Sequence, residues 1–180
     1  MNYIIFDLEA TCWKEQGKHK SEIIEIGALK INDNQIVIDE FNCFVKPIIH
    51  PILSDFCKNL TSINQADIDN SELFPETINK FMQWIGVGNE EYLLCSWGFY
   101  DQKQLIADCN LHKLDFKWVN KHISLKHQYA KIKKLERPVG LGSTIIAEGM
   151  KFEGTAHRGI DDARNIARIF IKYFDSWERL

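Results

Sequence analysis

A chain of 180 residues, 45% hydrophobic and 26% charged, has the composition of an ordinary globular protein, which excludes a disordered or membrane-spanning chain and predicts one domain over residues 1–180. Its formal net charge of −3 excludes a polycation that coats nucleic acid, so any nucleic-acid contact must be local. Five cysteines, Cys12, Cys43, Cys57, Cys95 and Cys109, are odd in number and lack a C-x-x-C pair, which argues against a disulfide framework and a zinc site and predicts buried thiols.

The N-terminal stretch Met1–Phe6 has no basic region, full-length apolar run or small-residue cleavage site, so the expectation is a cytoplasmic protein without membrane association. Residues 2–8 and 23–31 read as strands, each rich in β-branched or aromatic side chains. Asp33-Asn34 turns the chain into a third strand over 36–46, closed by Pro47 and Pro51, so the sheet begins with antiparallel neighbours. From 54 to 88 the period becomes helical, with Phe74, Ile78, Phe81, Met82 and Ile85 following the start signal Pro75. Residues 92–97 predict a buried fourth strand, 101–109 a helix and 116–119 a short fifth strand. Residues 124–135, 141–149 and 160–174 read as helices. The pattern is that of an α/β domain whose mixed sheet, its first three strands antiparallel, is covered by helices.

Asp7 and Glu9 stand two residues apart at the end of the first strand, so both carboxylates project to one face. Two such charges side by side are unfavourable unless a cation lies between them, although an isolated D-x-E is more often a solvated strand end. On the last helix Ala163, Ile166, Ala167, Phe170, Ile171 and Phe174 define the core stripe. Asp162 extends that stripe toward the helix start, whereas Asp161 aligns with Asn165 and Arg168 on the polar face as a cap or solvated acid. Asp101 follows the fourth strand after Gly98, which permits a sharp turn, and precedes Leu105 by one helical turn on the inward side. Four acids at the ends of core elements suit hard cations with oxygen ligands, Mg²⁺ or Mn²⁺. His157, in the loop before Asp162, is placed to act as a base, a role that requires its neutral form.

The ordered set D-x-E-x-T, W-G-x-x-D and H-x-x-x-x-D resembles the DEDDh exonuclease family of the ribonuclease H-like fold. The resemblance is nearest to the branch of Eri-type histone-mRNA and small-RNA exonucleases and bacterial sporulation-inhibitor KapD-like proteins. It rests on residues 7–12, 24–27, 53–57, 60–61 and 157–167 and shows no departure at a catalytic position. It implies a five-stranded mixed sheet and 3′-to-5′ hydrolysis of single-stranded nucleic acid ends, RNA favoured over DNA, to 5′-nucleoside monophosphates. By the same resemblance Asp7, Glu9 and Asp162 hold one ion, Asp7 and, through water, Asp101 serve a second, and His157 deprotonates the attacking water. Leu8, Ala10, Thr11, Phe56, Tyr100 and His157 become the expected substrate contacts, with Phe56 and Tyr100 sandwiching the terminal base rather than filling the core.

Two other classes are open to a sequence of this kind: a binding module that keeps the fold, which predicts missing ligands, and a phosphohydrolase of small nucleotides. The run from Lys121 to Arg137 sets six cations against Glu136. A solvated face is its ordinary reading, and Lys131, Lys133 and Lys134 are the expected phosphate track if it carries substrate. No appended nucleic-acid-binding segment is visible, so a protein partner is expected to supply targeting, and the oligomeric state is left open.

Overall fold

The computed structural model describes residues 1–15 and 17–179. Five strands, β1 (Asn2–Ala10), β2 (Ile23–Ile31), β3 (Val37–Phe44), β4 (Tyr92–Ser96) and β5 (His122–Ser124), form one mixed sheet in the order β3-β2-β1-β4-β5. The β1/β2 and β2/β3 pairs are antiparallel, whereas β1/β4 and β4/β5 are parallel. The β2–β3 turn is closed by the Asn32 side chain, whose Oδ1 accepts from the N–H groups of Asn34 and Ile36, each at 3.0 Å.

Helices cover both faces, and the alternation along β1 decides which side chain meets which layer. Tyr3 and Ile5 join the core formed with α5 (Leu125–Ile132), α6 (Leu141–Ala147) and α7 (Gly159–Lys172). Ile4, Phe6 and Leu8 face α3 (Phe74–Ile85) and α4 (Tyr100–Leu111). The shorter α1 (Asp55–Thr61) and α2 (Gln65–Asp69) frame a satellite cluster of Ile24, Leu53, Cys57, Ile63 and Ile68. The helical stretch expected over 54–88 is thus three helices; Ser54 caps the first by accepting from Cys57 N, and Pro75 stands in the first turn of the third.

Two expectations are corrected here. Residues 116–119 are not a strand: Lys117–Asn120 form a 3-10 turn that buries Trp118 and Val119, and the fifth strand is His122–Ser124. Three residues with polar ends show no alternation to read, whereas the apolar pair beside them mimics a strand. The thiols are not uniformly buried, since Cys12 and Cys43 are half-buried while Cys57, Cys95 and Cys109 are buried. Among the described residues no helix is long and apolar enough to cross a membrane.

Candidate active site

The β1/β4 pairing ends at Ile5↔Cys95, while β1 continues to Ala10. Beyond that point the two parallel strands separate, and a crevice opens at their carboxyl ends, the usual place for a site in such sheets. A cleft of about 300 Å³ there is lined by Asp7, Leu8, Glu9, Trp97, Tyr100, Asp101, Leu141, His157 and Asp162. Asp7 and Glu9 lie within β1, on the same face as Tyr3 and Ile5 and so toward α7.

Asp101 arrives from the first turn of α4, 4% exposed, and its Oδ1 accepts from Leu8 N at 3.2 Å. This bond satisfies an N–H of β1 beyond its pairing with β4 and fixes the acid against the strand. Between β4 and α4 Gly98 takes φ +133°, a conformation L side chains rarely adopt. Asp162 is carried by α7, whose Ile166 and Phe170 are fully buried. Each such side chain contributes roughly 1.5–3 kcal/mol, enough to hold the helix start beside charges that repel it.

A close backbone contact brings α7 to the sheet. A Cβ on Gly27 of β2 would lie 2.1 Å from the Gly159 carbonyl carbon, so only glycine admits the helix terminus here. Gly159 N donates to Glu25 Oε2 at 2.9 Å, and Arg158 clasps the same fully buried carboxylate through Nε and Nη2 at 3.2 and 3.1 Å. Glu25 is the register partner of Glu9. Glu25 and Arg158 thus dock the helix that carries Asp162; both fall in the segments 24–27 and 157–167 that carry the resemblance, but their pairing joins residues 133 apart. Trp97 of the cleft wall belongs to the W-G-x-x-D motif but was not singled out as a site residue, and Leu141 carried no sequence signal of its own.

The last loop differs from its expected form. Asn165 is fully buried rather than on a polar face: its Nδ2 donates to Glu153 O and Asp161 O, and its Oδ1 accepts from Glu153 N. Asp161 accepts from Thr155 N at 2.9 Å and pairs with Arg164, so it tethers the loop bearing His157 instead of facing solvent. Asp162 Oδ2 accepts from His157 N at 2.8 Å, and His157 is held at φ +63°, rare for a residue with a side chain. Ligating atoms of Glu9, His157 and Asp162 lie within 4.8 Å of one another, a cluster able to coordinate a metal ion.

Burial first, and then the neighbouring like charges, raises the four cleft carboxyls. Burial, then the charges of Asp101, Asp162 and Glu9, holds the Asp7 carboxyl well above the usual range. Glu9 is pushed up to about 8 by burial and by Asp162 and Glu25. Burial lifts Asp101 to about 6 against the N–H groups of Leu8 and Asp101 and the Ser96 hydroxyl, and lifts Asp162 to about 6 against His157 N–H. Such a set is stable near neutrality only with protons or cations among the carboxylates.

Of the remaining expected contacts, Leu8 and Tyr100 line the cleft and the others lie outside it or are otherwise engaged. Tyr100 is 55% exposed at the cleft, and Phe56 is 41% exposed on α1, outside its lining; neither ring belongs to a core cluster. Ala10 and Thr11 are buried, and Thr11 Oγ1 accepts from Glu22 N. Lys133, itself exposed, pairs with the Glu148 carboxylate at 3.2 Å and donates to the Tyr173 hydroxyl, and Lys131 pairs with Glu178 at 3.7 Å. Lys134 is exposed after α5.

A family model described as "Exonuclease" (RNase_T) matches residues 4–170. The chain is 35% identical over 191 residues to ERI1 exoribonuclease 2 of Xenopus laevis, covering 92% of this chain and 27% of that protein. It is 34% identical over 180 residues to 3'-5' exoribonuclease 1 of Homo sapiens, covering 93% and 51% respectively. It therefore spans about half or less of the length of these relatives. Its fold superposes with TM-score 0.90 on the nuclease domain of 3'hExo, a DEDDh family member bound to rAMP, at 31% identity over 99% of this chain and 97% of that one.

Proposed function

Because this chain belongs to the DEDDh 3′-to-5′ exonuclease family of the ribonuclease H-like fold, we propose that it hydrolyses the terminal phosphodiester of single-stranded nucleic acid. RNA is favoured over DNA, and 5′-nucleoside monophosphates are released. The observation that carries the reading is the convergence of Asp7, Glu9, Asp101, Asp162 and His157 on one cleft.

The donor set tests the fit of a metal. Four mutually repelling carboxyls and one imidazole, with no thiol in the cleft lining, suit hard divalent cations, and the raised proton affinities mark charge that awaits neutralisation. Asp7, Glu9 and Asp162 would hold one Mg²⁺ or Mn²⁺ ion, and Asp7 with Asp101 a second. When bound, such ions supply charge stabilisation to the attacked phosphodiester. His157 takes the proton of the attacking water at a ring nitrogen, and its rare backbone conformation, fixed through Asp162, orients the ring for that transfer. Tyr100 offers an exposed ring to the terminal base, with Phe56 of α1 as its counterpart. The preference for RNA draws support from relatives named as exoribonucleases and from the rAMP in a similar nuclease domain.

Incubating the protein with Mg²⁺ or Mn²⁺ and a 5′-labelled single-stranded RNA should give stepwise shortening from the 3′ end. A 3′-phosphate should block the reaction, and a chelator should abolish it. Cutting of a circular strand, or release of internal fragments, would refute the reading.

A further inference from the structure

The loop that leaves β1 immediately after the acidic pair carries a feature that the cleft does not explain. Residues 13, 14, 18, 19 and 20 read Trp, Lys, Lys, His, Lys, and the three lysines are exposed, Lys18 beside Glu15, with which it pairs. The Trp13 ring lies 4.5 Å from that of His19 at 35° and 4.8 Å from that of His50 at 73°, and the two imidazoles are 5.1 Å apart. Three rings from two separate segments meet outside every hydrophobic core cluster. His19 is exposed, and Trp13 and His50 are half-buried.

The assembly is built rather than incidental. Glu22, 3% exposed, accepts from the consecutive N–H groups of Ile48, Ile49 and His50 at 2.7, 2.8 and 3.0 Å, which binds the second segment to the foot of the loop. Thr11 and Glu22 close that foot through Thr11 N to Glu22 O and Glu22 N to Thr11 Oγ1. Ser54, the cap of the helix bearing Phe56, donates to Cys12 O at 2.6 Å, and Gln104 of α4 donates to Ser21 O at 3.0 Å. The loop therefore rises between the two elements that carry Phe56 and Tyr100.

We infer that Trp13, His19 and His50, with Lys14, Lys18 and Lys20, form an accessory binding platform for the single strand 5′ of the terminal nucleotide. Rings stack on unpaired bases of any sequence while lysines meet phosphates, the combination that grips single strands. This places local positive charge in a chain whose net charge is −3. Trp13 follows Glu9 by four residues, so their Cα atoms are at most about 14 Å apart. At ~3.4 Å per stacked nucleotide the platform meets the strand within about four nucleotides of the site. A duplex, whose bases are already stacked, gains nothing from it. The inference rests on reading the cleft as an exonuclease site.

Binding of RNA of about twelve nucleotides, measured by anisotropy in chelator so that nothing is cut, should weaken about tenfold in Trp13→Ala and be largely retained in Trp13→Phe. Replacing Lys14, Lys18 and Lys20 together by Gln should flatten the salt dependence by up to ~0.7 per lost contact. Hydrolysis of a dinucleotide with Mg²⁺ should be unchanged in all three variants, which also reports that they fold. Binding of the long strand left unchanged by Trp13→Ala, or dinucleotide turnover lost to the same degree, would overturn the platform. Failure of the exonuclease reading would instead show as a wild-type protein that cuts no oligonucleotide with metal present.

Discussion

Asp161 and Asp162 are adjacent in sequence and differ in task. Asp162 reaches the cleft, while Asp161 holds Thr155 N and Arg164 and thereby the loop that presents His157. Asp162→Ala should lower turnover by about 10²–10³-fold, the scale of lost transition-state charge stabilisation, and raise the Mg²⁺ concentration needed. Asp161→Ala should be intermediate: turnover falls by about tenfold through a loosened His157 loop, with an unchanged Mg²⁺ requirement. A Mg²⁺ titration of both variants separates the roles, and an equal shift in both would contradict the geometry. Helical periodicity distinguished the two acids, but it placed Asp161, as a cap or solvated acid, and Asn165 on the polar face, because it counts faces of one helix and cannot see a loop folding back over the outer one.

At the scale of elements, the approach of α7 to β2 decides where Asp162 lies. A Cβ on Gly27 would meet Gly159 C and Ile160 N at 2.1 Å, both backbone atoms that cannot rotate away. Gly27→Ala should therefore cost at least about 1–3 kcal/mol, read as a lower urea midpoint, and should reduce hydrolysis by displacing Gly159 N from Glu25. A midpoint unchanged from wild type would show that the helix terminus is not pinned as described. Strands β1, β2 and β4 and helices α4 to α7 were legible because each buries a face against the core, while β3, largely exposed apart from Phe41, was legible from its β-branched and aromatic residues after the Asp33-Asn34 turn. β5 was not, since three residues with His122 and Ser124 at its ends have too little pattern, and its place is set by pairing with β4.

Across the whole molecule, the acid cluster makes stability depend on pH and on cations. Glu9 rises from its ordinary 4.5 to about 8 on folding, so between those values the folded chain binds more protons than the unfolded one. The linkage sign then makes metal-free stability fall as pH rises through that window, with the full penalty above it. Asp7, Asp101 and Asp162 shift the same way. Thermal unfolding in chelator should show a Tm contribution from this cluster that is lost from pH 5 toward pH 8, and Mn²⁺ should restore it most at the alkaline end. The Glu9→Gln variant isolates the effect, because its neutral side chain should reduce both the pH loss and the Mn²⁺ gain. A Mn²⁺ gain that is equal at both pH values in wild type would count against the cluster.

By itself the sequence determined strands β1 to β4, the helices from α4 onward, the four acids and the histidine, because periodicity and short-range alternation are local and each acid sits on an element whose buried face can be read. The tertiary structure alone decided how Asp7, Glu9, Asp101, Asp162 and His157 share one cleft, since their approach depends on a parallel crossover, on Leu8 N meeting Asp101, and on two glycine backbones in contact. It also paired Lys133 with Glu148 and gathered Trp13, His19 and His50. Side chains distant in sequence meet only after the chain has folded, and no local pattern records such a meeting.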